Sequence, residues 1–224
     1  DLAAVDPRWI RKQFSVIQER LVRELNGECC IDTDSVPSSR KSIQVSRSFH
    51  DATDDFQAVS EAVATFAARA CEKSREQETV ASGIYLHLNT SRFNGHYASA
   101  SRADGFPVPT AHAPEVIGTA LKLLREIWRP GLMYKKASVI LLDLRDAGAV
   151  KSRKTLFPLD DVSPEQREKG ERLMESMDRI NGRLGRNALF FGAQGTVRNW
   201  RGASEHCSPG YTRNWDELPV AKAE

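Results

Sequence analysis

The chain has 224 residues, 40% of them hydrophobic and 28% charged, and a formal charge of +2. These values suit one large or two small globular domains and exclude an extended disordered chain or a uniformly basic nucleic-acid binder. No apolar run approaches the roughly 20 residues that span a bilayer, so no membrane partner is expected.

The first residue is Asp rather than Met, from which a fragment or a processed product is expected. Asp6 and Pro7 predict a helix start, and Ile10, Phe14, Ile17, Leu21 and Leu25 give one apolar stripe through residue 26. Gly27 predicts its end. The polar stretch 28–41 reads as a linker. It contains Cys29 and Cys30, which with Cys71 and Cys207 show no ligand spacing and read as free thiols of a reducing cytoplasm.

Residues 42–49, SIQVSRSF, alternate as a strand. A helix over 54–77 and a strand over 80–91 follow. A turn then leads to a returning strand over 96–102, broken off by Pro107 and Pro109. Pro114 opens a second helix that Pro130-Gly131 ends, and 135–145 form the last strand. Strand, helix, strand, strand, helix, strand is a split β-α-β order, with both helices on one sheet face. The fold class is therefore α+β: a four-stranded, two-helix domain with an N-terminal helix and a small C-terminal α/β extension. The expected divisions are 1–41, 42–146 and 147–224.

Residues 42–150 hold twelve basic and twelve acidic side chains. Sorted by element, the strands and their hairpin carry Arg47, Arg92, Arg102, Lys135, Lys136 and Arg145, while most acids fall on the helices. That sorting predicts a cationic open sheet face suited to phosphate; strands that simply face water use the same residues. Asp51, Asp54 and Asp55 read as helix-start partners rather than metal ligands. Ser163 with Gln166 predicts a capping box, and Gly182 the end of that helix. Residues 188–192 and 196–200 resemble a small hairpin. Trp200, Tyr211 and Trp215 read as exposed, suited to a partner surface or to a small core of their own.

Three stretches carry a family likeness. IRKQFSVIQERLVRELNGE (10–28), SRSF (46–49) and SPGYTRNWDELP (208–219) resemble, in order, the end of the thumb, the little finger and the C-terminal signature of UmuC-type Y-family translesion DNA polymerases. The last departs from the family pattern at Gly210 and around Arg213-Asn214.

The resemblance implies that the little finger grips primer–template DNA through its phosphates. The carried-over residues are Ser46, Arg47, Ser48, Ser91, Arg92, Arg102, Lys135 and Lys136. It implies a sliding-clamp contact at Leu156 and Phe157, in a motif whose usual Gln is replaced by Arg153. It further implies a UmuD′-type subunit and the RecA filament as partners, in the cytoplasm. Polymerisation by the family needs palm carboxylates holding Mg2+, which are expected upstream of residue 1. This chain is thus expected to hold no cofactor and to catalyse nothing by itself. A protein-interaction adaptor without DNA binding is the alternative. An RRM-type RNA module is a further one; Tyr85 and Tyr97 are available to it, without an RNP-like motif.

Overall fold

A computed structural model describes residues 2–30, 40–93, 97–151, 163–197, 200, 208–212 and 214–218. The chain forms two compact units, Asp1–Ser39 and Arg40–Glu224.

The first unit holds two helices, α1 (Pro7–Gln13) and α2 (Val16–Leu25), where the apolar stripe predicts one. Ser15 causes the break. Its hydroxyl accepts from the Ile17 amide and caps α2, and a serine that bonds nearby backbone competes with helix continuation. Glu19 is buried and spans the break, held by Arg11 at 3.0 Å and Arg23 at 2.8 Å. Of the predicted stripe only Ile10 is buried; Phe14, Ile17, Leu21 and Leu25 are exposed.

The second unit contains β1 (Ser42–Thr53), α3 (Phe56–Glu76), β2 (Thr79–Thr90), β3 (Ser99–Thr110), α4 (Ala113–Ile127), β4 (Tyr134–Asp146), α5 (Ala147–Lys151) and α6 (Pro164–Leu184). The strands form one antiparallel sheet in the order β1-β4-β2-β3. This is the expected α+β little-finger fold. Asp55 caps α3 by accepting from the Gln57 amide at 2.8 Å, one of the acids expected at that helix start.

Alternation puts Ile43 of β1, Ile84, Leu86 and Leu88 of β2, and Val139 and Leu141 of β4 on one side, all buried. Alanines along α3 let that helix sit close, with Val63 and Phe66 packed inward. From α4 come Val116, Leu123 and Leu124. Pro107 and Pro109 do not end β3 as expected. They lie within it, because β3 is an edge strand and a proline there removes no ladder bond.

The capping box at Ser163 and Gln166 is present, and α6 runs through Gly182 to Gly185, whose φ of 97° ends it. Met174 and Met177 of α6 and Trp200 join the same core as α3 and the sheet. Trp200 is therefore buried, edge-on to Phe66 at 5.4 Å, where exposure is expected; Tyr211 and Trp215 are exposed. No strand forms among the described residues 188–197; a 3-10 turn at Gly192–Gln194 stands where half the hairpin is expected.

Candidate nucleic-acid interface

In antiparallel pairs, directly opposed residues point to the same face, so register assigns every strand residue to a side. The face away from the helices consists of transverse rows. Beside the β2–β3 hairpin lies Ser48–Lys136–Asn89–Ser99, and next Ser46–Ser138–His87–Ser101. Then come Gln44–Ile140–Tyr85–Ala103 and Ser42–Leu142–Gly83–Gly105. No acidic side chain occupies these rows. The hairpin end is polar and the opposite end apolar. Ser48, Ser99 and Ser101 are exposed and Ser46 half-buried, while Ser138 is buried among its neighbours.

Ser46, Ser48 and Lys136 thus stand where sequence places them, on one open surface. Lys135 is the extra residue at a register shift, between Lys136 opposite Asn89 and the buried Tyr134 opposite Thr90, and is anchored: its ammonium donates to the His50 carbonyl at 2.7 Å, tying β4 to the far part of β1. In the hairpin, the Ser91 hydroxyl accepts from the Phe93 amide at 3.2 Å. The exposed Arg92 guanidinium stacks 5.1 Å from the Tyr97 ring centroid. These groups belong to the polar end of the sheet.

Arg47 and Arg102 do not. Arg47 opposes Ala137 and shares its side with Ile43 and Val45, so it emerges on the helix-packed side. Arg102 opposes Leu86, on the same side, and its Nε lies 2.6 Å from Glu126 of α4. Next to it, Asp104 accepts from Lys122 of α4 at 3.1 Å. These pairs tie the edge strand β3 to α4. The expected single cationic sheet face is therefore corrected: the open face is largely neutral, with Lys136 its one ammonium in the rows. The hydroxyls and amides that sequence reasoning passed over, Asn89, Ser99, Ser101 and Ser138, join Gln44 to make up most of it. Continuing the even–odd count from Ser46 through the pairing would have found them.

His87 sits centrally, its ring parallel to that of Tyr85 with centroids 6.5 Å apart. Burial, and secondly the charge of Lys136, hold its pKa below the ordinary histidine value, so it is neutral at pH 7. The face can offer hydroxyl, amide and imidazole hydrogen bonds, with little net charge. Such groups suit phosphate oxygens without reading base sequence.

Leu156 and Phe157 lie outside the described residues. Among the described residues, no group of three or more His, Cys, Asp or Glu could hold a metal ion, and no helix is long and apolar enough to cross a membrane.

Residues 40–153 match the impB/mucB/samB family C-terminal domain. Residues 171–221 match a domain of unknown function, DUF4113. Salmonella typhimurium ImpB is 35% identical over 223 residues, covering 99% of this chain and 51% of ImpB. UmuC of Salmonella typhimurium is 36% identical over 220 residues, covering 97% and 51%. MucB of Escherichia coli is 36% identical over 224 residues, covering 99% and 51%. The chain thus spans about half the length of these curated relatives. With a family match over the whole sheet domain and over one third identity along the chain, this protein is a UmuC-like member of the impB/mucB/samB family, carrying that family's C-terminal domain.

Proposed function

We propose that the chain is the DNA-gripping and partner-binding portion of an error-prone, UmuC-type translesion DNA polymerase that acts in the cytoplasm during DNA repair. The primer–template duplex lies along the polar end of the open sheet. Ser46, Ser48, Ser99, Ser101 and Asn89 donate to phosphate oxygens there, and Lys136, Lys135 and Arg92 supply the charge. The observation that carries this reading is the pair of acid-free hydroxyl and amide rows on a helix-free face, in a chain of this family.

Nucleotide transfer belongs to the whole protein, with Mg2+ supplying transition-state charge stabilisation from palm carboxylates. The residues of this chain contribute grip, not a chemical step. A UmuD′-type subunit, the RecA filament and, through Leu156 and Phe157, a sliding clamp complete the assembly.

Fluorescence anisotropy of a labelled primer–template with the purified chain tests the grip. Ser46→Glu combined with Ser48→Glu sets carboxylates against phosphates and is expected to weaken binding at least about tenfold. Arg102→Ala is expected to leave affinity within about twofold, since Glu126 already holds that guanidinium. No duplex binding at low salt would refute the proposal and leave the adaptor reading, as would a Ser46/Ser48 pair of glutamates that changes nothing. In the same preparation, primer extension with nucleotides and Mg2+ is expected to be absent.

A further inference from the structure

The opposite side of the sheet offers a second surface. Beyond the outer edge of β1 opens a cleft of about 1110 Å³, walled by α3, α6 and the 186–194 segment. Phe66, Met177, Leu189 and Phe191 give it apolar lining.

We propose that this cleft takes an acidic peptide in extended conformation, which adds to β1 as a further strand. Three observations converge. First, β1 is an edge strand, with β4 as its neighbouring strand in the sheet. Among the described residues, Gln44 to Ser48 have no backbone partner on their outer side. Farther along, the His50 amide already donates to the Trp200 carbonyl at 3.4 Å, so another main chain can approach this edge. Strand addition satisfies such an edge with a ladder of main-chain bonds.

Second, the cleft is cationic. Arg69 is held by Glu72 and Glu76, and Arg75 by Asp178. Arg47, Lys73 and Arg186 also line the cleft, without ion pairs among the described residues. Unneutralised charge facing a groove selects an acidic partner. Third, Phe66, Met177, Leu189 and Phe191 give the same cleft apolar lining for hydrophobic side chains set between the acidic ones. A nucleic-acid backbone has no amide N–H to complete the edge and no use for that apolar lining. From Gln44 to Ser48 the strand is five residues, about 17 Å long, which sets the length of segment that fits.

This inference does not rest on duplex binding by the open face, and the two are separable. The probe is a fluorescein-labelled peptide of alternating aspartate and valine, seven residues long. Its controls are the lysine–valine counterpart and an aspartate peptide with a central proline. Anisotropy with the purified chain is expected to show binding of the aspartate peptide. Affinity is expected to fall at least about tenfold for the lysine peptide, the proline peptide and the Lys73→Glu/Arg186→Glu variant. Amide chemical-shift changes over residues 44–48 of the unmodified chain provide a readout independent of any variant.

Equal binding of the lysine peptide, or no shift at 44–48, would overturn the proposal. So would a DNA duplex that displaces the peptide and is itself weakened by Lys73→Glu/Arg186→Glu, which would make the cleft a nucleic-acid site. A chain that self-associates through β1 and excludes the peptide would overturn it as well.

Discussion

Serine 46 and arginine 47 are neighbours in sequence and occupy opposite sides of a sheet. The alternation that buries Ile43 and half-buries Val45 also carries Arg47 to their side, so the parity was legible in SIQVSRSF itself. In β3 it was not: the small residues of HYASASR mark neither face, and only the pairing of Arg102 with Leu86 assigns it. Burial at single residues also sets a pH response. His87, beside Lys136 and Tyr85, and His112, facing Arg75, Glu115 and Gly170, both have pKa values lowered by burial first of all. The unfolded chain therefore takes up these protons before the folded one does, and stability is lost as pH falls through and below about 6.5. The melting temperature is expected to drop between pH 7 and pH 5.5. A His87→Gln/His112→Gln variant is expected to give a flatter profile; equal slopes would assign the loss to other groups.

At the level of elements, the long periodic segments were readable because their apolar spacing agrees with their packing: α3, α4, β2 and β4 differ from expectation by only a residue or two at their ends. The failures have local causes. A serine able to cap splits the first helix, and a strand at the sheet edge tolerates prolines that would disrupt an inner one. The placement of α6 was not legible, because it depends on a contact 103 residues apart. Arg75 donates Nε and a terminal nitrogen to Asp178 at 2.6 and 2.7 Å, and another nitrogen to the Ala111 carbonyl at 2.8 Å. Asp178→Ala leaves that half-buried guanidinium without its carboxylate and is expected to cost about 2 kcal/mol. Urea unfolding measures the total, and hydrogen exchange of α6 amides is expected to rise more than that of α4. Uniform exchange would show that α6 does not depend on this contact.

For the whole molecule, sorting charges by element misled because an element has two sides. Arginines counted together on the strands separate once register is known, and the helices neutralise part of them through pairs such as Arg102–Glu126. The side proposed to bind duplex keeps few cations, chiefly Lys136 with Lys135 and Arg92 at one end. Each phosphate neutralised contributes about −0.9 to the salt slope, so duplex binding is expected to show a slope between about −1 and −3 from 50 to 200 mM salt. A slope of about −6 or steeper would require cations from the other side of the sheet.

The two margins of that sheet are also unequal. β3 carries Pro107 and Pro109, whereas β1 leaves its outer margin open beside a cleft. Two molecules that join strand to strand through β1 would do so about a two-fold axis. The two β3 strands, each interrupted by Pro107 and Pro109, would then form the outer margins of the pair and a poorer template for a third. Pairing through β1 uses up that margin in both copies, so growth beyond a dimer would have to proceed through the proline-bearing one.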